Sequence, residues 1–238
     1  MASTAPASVF HDLPTYQVGR LTSSGTLELI DQLDPDLIVV ACFPRLIPEA
    51  IHGRARLGGI NIHPSLLPQH RGPDPLFWIM RDGGRGCGVT VHALADRYDS
   101  GDILAQRPVP YPAGVRESEL ERRLAGEGAE LALSVIEGLV VGRQSRTAQD
   151  EHQASYESWP AERDYHLDTR RSALDSWNFV RGVAERGVPI RIDAGDLLIR
   201  EAIAFGDDTE PPEAGDGELI IRCNPGWLRA VIDDETDR

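Results

Sequence analysis

The sequence predicts an α/β protein: a mostly parallel sheet with helices in the first part of the chain, then a smaller β-rich unit. Leu37 to Cys42 reads LIVVAC, a near-continuous apolar run that suits a parallel strand buried on both faces. Strand-like and helix-like stretches alternate up to Gly142. Beyond a helical stretch near Ser172 only short strand-like segments follow, and strands clustered after a helix suggest a second domain. The expected division is a first domain over 1–142, a polar linker over 143–158, and a small helix-plus-β domain over 159–238.

Met1 to His11 is small and polar and reads as a loose tail. Thr15 to Leu21 suits a short edge strand. Ser24 to Leu33 has helical spacing, with Leu29, Ile30 and Leu33 on one apolar side, and Asp34-Pro35-Asp36 stops it. A short helical segment is expected over Pro48 to Ala55, after the loop FPRLIP. Gly59 to His63 alternates like a strand, which must end at Pro64 because proline has no amide hydrogen for a ladder. Pro73 to Arg81 reads as a helix ended by Gly83 and Gly84. Gly88 to Leu94 and Ile103 to Val109 read as strands around the loop ADRYDSGD.

Ser118 and Glu121 have the spacing of a capping box and open a long helix to Gly142. Gly126 and Gly128 inside it each cost about 1 kcal/mol against alanine, which suggests close packing. Gly142 to Ser158 is polar and linker-like. The helix near Ser172 to Val183 places Leu174, Trp177, Val180 and Val183 together. Strands are expected over Val188 to Ile192, Leu197 to Phe205, Glu218 to Cys223 and Trp227 to Ile232. Asp193 to Asp196 and Asn224-Pro225-Gly226 have turn composition, and the acidic Gly206 to Glu218 reads as a solvated loop.

At 238 residues the chain suits one large domain or two modest ones. No apolar run approaches the roughly 18 residues of a membrane span, and no secretory signal opens the chain. Cys42, Cys87 and Cys223 are scattered and odd in number, which argues against a disulfide framework or a zinc site and for a reducing cytoplasm. The net charge is −14 and all 24 basic residues are arginine. That balance disfavours loose binding to nucleic acid, although a local arginine patch would still take phosphates.

The most informative stretch is Gly59 to Gly72, GINIHPSLLPQHRG. Side chains two apart on a strand share a face, so Asn61 and His63 lie on one side and Ile60 and Ile62 on the other. A polar pair at a strand end before a proline-punctuated loop is a common place for chemistry in α/β folds. By itself, such an Asn or His is more often a hydrogen bonder that fixes a loop. Likewise, the DSG of ADRYDSGD is by itself usually an Asx-type turn.

The fuller strings shift that balance. NIHPSLLP with Arg71 and Gly72 resembles the signature of the folate-dependent formyltransferases, and Ala95 to Asp102 resembles their second signature. The resemblance is strong over Val18 to Val141. It continues weakly to the end, where the chain is similar to a trimmed C-terminal barrel of methionyl-tRNA formyltransferase. It implies a Rossmann-like sheet and a catalytic trio of Asn61, His63 and Asp99. The cosubstrate implied is 10-formyltetrahydrofolate, with no metal. Phe43, Arg45, Leu46 and Ile47 would face the folate, with Ser65, Leu66, Leu67 and Pro68 and with Ala95, Asp96 and Tyr98 completing the pocket.

The implied reaction is formyl transfer to a primary amine, with initiator methionyl-tRNA as the leading acceptor. Formylation of an amino sugar or other small amine, hydrolysis of the formyl-folate, and a catalytically silent binding module are the alternatives. Asn61 would stabilise the oxyanion, and either His63 or Asp99 would take the proton. Arg71 would meet an anionic substrate or cap a helix, and Trp78 reads as core. Family members begin with a strand, helix and strand that this chain is expected to lack. A misplaced start, an edge supplied by another chain, and a reduced relative each account for that.

Overall fold

A computed structural model describes residues 13–192, 197–207 and 210–234. The expected tail over Met1 to His11 and the turn at Asp193 to Asp196 lie outside the described residues. The first sheet has four strands, β1 (Ile38–Ala41), β2 (Gly59–His63), β3 (Gly88–Ala93) and β4 (Ile103–Pro108), in spatial order β1-β2-β3-β4. Only β1 and β2 run parallel; β2 pairs antiparallel with β3, and β3 with β4. The sequence predicts a mostly parallel sheet; among the described strands parallel pairing is confined to β1 and β2.

Helix α1 (Ser24–Leu33) precedes β1, α2 (Glu49–His52) joins β1 to β2, α3 (Pro75–Arg81) joins β2 to β3, and α4 (Glu117–Val140) follows β4. Helix α4 covers the sheet through Leu131, Ala132 and Val135, packed with Ile60 of β2 and Val91 of β3. Gly128 lies where α4 comes closest: a Cβ there would sit 2.8 Å from Ile62 and 3.3 Å from Val89. Gly126 has open space around it, so only one of the two glycines marks close packing.

Several local expectations are corrected. Thr15 to Leu21 forms no strand. Strand β1 is exposed on one face, with Val39 48% exposed, because among the described strands it is the sheet edge. Leu33 of α1 is exposed, and Thr26 is that helix's buried residue. The Ser118/Glu121 capping box does not form. Helix α4 starts at Glu117, and the Ser118 amide and hydroxyl donate to the Glu185 carboxylate at 3.0 and 3.1 Å.

The last part of the chain holds β5 (His166–Leu167), α5 (Ala173–Val183), β6 (Ile190–Ile192), β7 (Leu197–Gly206), β8 (Glu218–Arg222) and β9 (Trp227–Asp234). The strands form one sheet in the order β5-β6-β7-β9-β8. No pairing joins β8 to β5, so among the described residues the expected barrel is an open sheet. The two-residue β5 was too short to read from sequence. In α5, Ser172 caps the Asp175 amide, while Leu174 is exposed rather than packed with Val180 and Val183. Described residues of the acidic stretch between β7 and β8 are mostly exposed.

The largest apolar cluster draws on both parts of the chain. Phe77 and Met80 of α3 meet Tyr165, Phe179 and Val183, and Phe77 lies 5.0 Å from the Tyr165 ring. No helix among the described residues is long and apolar enough to cross a membrane. The two α4 glycines give a paired prediction for urea unfolding. Gly126→Ala should raise stability by about 0.5–1 kcal/mol, while Gly128→Val should lower it by about 1–3 kcal/mol through overpacking.

Candidate active site

The site grows from the register of β2 on β3. Asn61 lies opposite His92, and His63 opposite Thr90, so all four side chains share one face. The loop after β3 brings Asp99 to this face. Gly101 lets the loop fold back, since a Cβ there would sit 1.9 Å from the Ala93 carbonyl oxygen. Asp99 itself adopts φ 53°, a left-handed conformation that aspartate tolerates better than most residues.

The expected trio converges on one oxygen. Asn61 Nδ2 lies 3.4 Å from Asp99 Oδ1, and His63 Nδ1 lies 3.6 Å from the same oxygen. The other carboxylate oxygen accepts a 2.9 Å bond from the Gly72 amide. The His63 and Asp99 side chains are 5% and 10% exposed, so these contacts act largely out of water.

Partners fix the histidine tautomers. His63 Nε2 lies 2.8 Å from the His70 carbonyl, which can only accept, so Nε2 carries the hydrogen and Nδ1 is left facing Asp99. His92 Nδ1 likewise donates to the Ala93 carbonyl at 2.8 Å. Its Nε2 then accepts from Asn61 Nδ2 at 3.1 Å and stands 3.6 Å from Asp99 Oδ1. His92 is a fourth member that sequence reading passed over. Period-two alternation in GVTVHAL, set beside NIH, carried the signal.

Burial pushes the His63 pKa down, and the Asp99 charge and the bond to the His70 carbonyl only partly offset this. Burial acts to raise Asp99, but contact with His92, the charge of His63 and the Gly72 amide together hold it below the usual carboxylate value. The site therefore pairs a neutral imidazole with an ionised carboxylate near neutral pH. Burial also acts against a charged His70, yet the Glu157 carboxylate, 3.6 Å from His70 Nδ1, raises its pKa.

The expected folate residues fall into two groups. Phe43 and Arg45 are exposed, with the guanidinium 5.2 Å from the Phe43 ring centre and bonded to the Gly19 carbonyl. The Leu46 amide donates to the Tyr98 hydroxyl at 2.9 Å, which ties the loop of Leu46 and Ile47 to that of Ala95, Asp96 and Tyr98. The tie is made at Tyr98, the residue before Asp99. Ser65 and Leu67, by contrast, are buried and serve the turn after β2: the Ser65 hydroxyl donates to Gln69, and the Leu67 amide to Thr90. Leu66 and Pro68 are half-buried beside them, with the Leu66 amide on the Gly86 carbonyl and the Pro68 carbonyl accepting from Ser155.

Arg71 meets neither a helix end nor open solvent. It is buried, donating to Gln149 at 2.8 and 3.1 Å and to Glu151 at 2.8 and 3.2 Å. Trp78 packs against the core and donates to the Ser158 carbonyl at 3.1 Å. No group of residues suited to a metal ion occurs among the described residues.

Comparison with known proteins places the chain in a family. A family model described as formyl transferase matches residues 2–136, more than half of the chain. The chain belongs to the formyl transferase family. Methionyl-tRNA formyltransferase of Chlorobium luteolum is 35% identical over 211 residues, covering 85% of this chain and 67% of that protein. The Chlorobium phaeovibrioides enzyme of the same name is 36% identical over 174 residues, covering 73% of this chain. The chain spans only 54% of that second relative. Among solved structures, the formyltransferase PseJ from Anoxybacillus kamchatkensis, in complex with UDP-4,6-dideoxy-4-formamido-L-AltNAc and tetrahydrofolate, is similar with a TM-score of 0.54 and 25% identity. That match covers 68% of this chain and 82% of PseJ.

The two buried histidines should titrate in opposite senses in an NMR pH series. His63 should protonate below the ordinary 6.5 and His70 above it. Asp99→Asn should lower the His63 midpoint further, and Glu157→Gln should lower that of His70.

Proposed function

We propose that this formyl transferase family member moves the formyl group of 10-formyltetrahydrofolate to a primary amine, with methionyl-tRNA as the acceptor. The observation that carries the reading is the convergence of Asn61 and His63 on one oxygen of Asp99, at 3.4 and 3.6 Å. The acceptor follows the names of relatives at 35–36% identity. The loops joined by the Leu46–Tyr98 bond, next to Asp99 in the chain, are where the folate would lie.

In this reading the amine nitrogen attacks the formyl carbon, and the carbonyl oxygen takes up negative charge. Asn61 then donates to that oxygen. Its 3.4 Å contact with Asp99 is the weaker of its two and the one that gives way. One such donor is typically worth about 3–4 kcal/mol of barrier. His63 is the proton acceptor: its Nε2–H is held by the His70 carbonyl, so Nδ1 has the free lone pair. Asp99 stays ionised and stabilises the imidazolium that results. The C–N bond to the folate breaks, and the proton passes to the departing nitrogen.

Likeness to a sugar-bound formyltransferase supports an amino sugar as the second acceptor class. Activity assays with 10-formyltetrahydrofolate separate the readings. Asn61→Ala should lower kcat by roughly 10²–10³, and His63→Ala by roughly 10²–10⁴. Unchanged turnover in both would overturn these roles. Formylation of charged initiator tRNA should weaken steeply with salt. A flat response, with turnover of an amino sugar, would move the acceptor to the second class.

A further inference from the structure

The polar stretch after α4 does not hang free as a linker would. Thr147 exchanges backbone bonds with Ile103 at 2.8 and 2.9 Å, and residues 155–157 run alongside Arg71. Between these anchors lies Gln149, whose carboxamide is fully used. Its nitrogen donates to the Asp99 carbonyl at 2.8 Å and the Gly101 carbonyl at 2.7 Å. Its oxygen accepts from Arg71 Nε and Nη2 at 3.1 and 2.8 Å. The partners fix the amide's orientation, because a flipped group would face two carbonyls with oxygen and a guanidinium with nitrogen.

We propose that Gln149 is a positioning residue that sets the Asp99 carboxylate, and that the segment carrying it completes the active site. The inference rests on the formyl-transfer reading above for the role of Asp99.

Asp99 needs holding from outside, because its left-handed backbone is sparsely populated for a residue with a side chain. Gln149 grips the carbonyls on both sides of that turn. It also holds the guanidinium of Arg71, the residue before Gly72, whose amide binds Asp99 Oδ2. The Arg71 backbone is fixed on both sides, its amide donating to the Ser155 carbonyl at 3.1 Å and its carbonyl accepting from the Glu157 amide at 2.9 Å. Gly72 fits this crossing because a Cβ there would sit 2.0 Å from the Glu157 carbonyl oxygen. One side chain thus spans the backbone and the carboxylate donor of the same aspartate.

The test compares the full chain with Gln149→Met and Gln149→Glu. The groups facing His63 are Asp99, His92 and His70. Of these Asp99 alone carries the negative charge that favours the imidazolium, so releasing it should lower the His63 titration midpoint. In Gln149→Met, kcat should fall at least about tenfold, tetrahydrofolate affinity by calorimetry should stay within twofold, and the His63 midpoint by NMR should move down. Gln149→Glu keeps the Arg71 pairing, and so the seating of the segment, but cannot donate to the two carbonyls. It should lose kcat to a similar extent even if the Met variant fails to fold.

Unchanged kcat in either folded variant, or a loss that tracks folate affinity with the His63 midpoint unmoved, would overturn the proposal. If the unaltered protein transfers no formyl group, the functional reading fails by itself. The His63 midpoint in the variants still decides whether Gln149 positions Asp99.

Discussion

The site depends on one buried carboxylate. Placing Asp99 at 10% exposure removes most of its hydration, a cost that partners must offset. Most of the partners are neutral dipoles: the Gly72 amide on one oxygen, and the Asn61 amide near the other. The two imidazoles stand at 3.6 Å, beyond a hydrogen bond. A full counter-ion at the carboxylate would satisfy it and silence it. Contact with His92, the charge of His63 and the Gly72 amide keep it ionised, and in the proposed reaction its field would favour a proton arriving at His63.

That arrangement is a matter of strand register more than of any single contact. The pairing of Asn61 with His92 also pairs His63 with Thr90. Thr90 then organises the turn beyond β2: its hydroxyl donates to the Ser65 carbonyl at 2.7 Å and accepts from the Leu67 amide at 3.0 Å. Gln106 of β4 adds a third strand to the same knot, donating to Thr90 and to the Leu67 carbonyl. A slip of β2 by one residue would turn Asn61 and His63 to the face opposite His92 and Thr90. The fully buried β3, flanked on both sides, holds the register against such a slip.

Much of this was legible in the residues. Alternation and Pro64 bounded β2 to the residue, and helices α1, α4 and α5 came within a residue or two because their apolar spacing is local information. Asn61 and His63 are expected from the long string NIHPSLLP and Asp99 from ADRYDSGD, and the fold brings the three side chains together. What escaped depends on distant partners. The cap of α4 comes from Glu185, nearly 70 positions away, so the local Ser118/Glu121 spacing misled. The exposure of Val39 reflects which strands flank β1, and six residues cannot encode that. The docking of 147–157 was hidden because its side chains are polar. They dock, half-buried or exposed, as hydrogen-bond partners of Arg71, Asp99 and His70, and hydrophobic patterning is blind to polar contacts of this kind.

The same point explains why the last part of the chain matters to chemistry in the first. Helix α3 leaves the His63 loop and is claimed by both halves. Arg186 reaches across to Asp74 at its N-terminus and to Glu117 at the start of α4, over the Phe77 ring. Arg171 takes Asp82 at the other end of α3 at 2.7 Å. Trp78 holds Ser158, so the chain beyond Glu157 is pinned before it enters the second sheet. The segment that carries Gln149, Ser155 and Glu157 is thus fixed at one end by β4, through Thr147, and at the other by α3 and its apolar cluster. The backbone amide of His70, the residue whose carbonyl sets the His63 tautomer, donates to Ser155 Oγ at 2.8 Å inside that span. Loosening the contact between α5 and α3 would therefore reach the imidazole through a chain of short, directional bonds. The proposed formyl-transfer chemistry would then be a property of the assembled molecule, although the three side chains proposed for it lie within forty residues of one another.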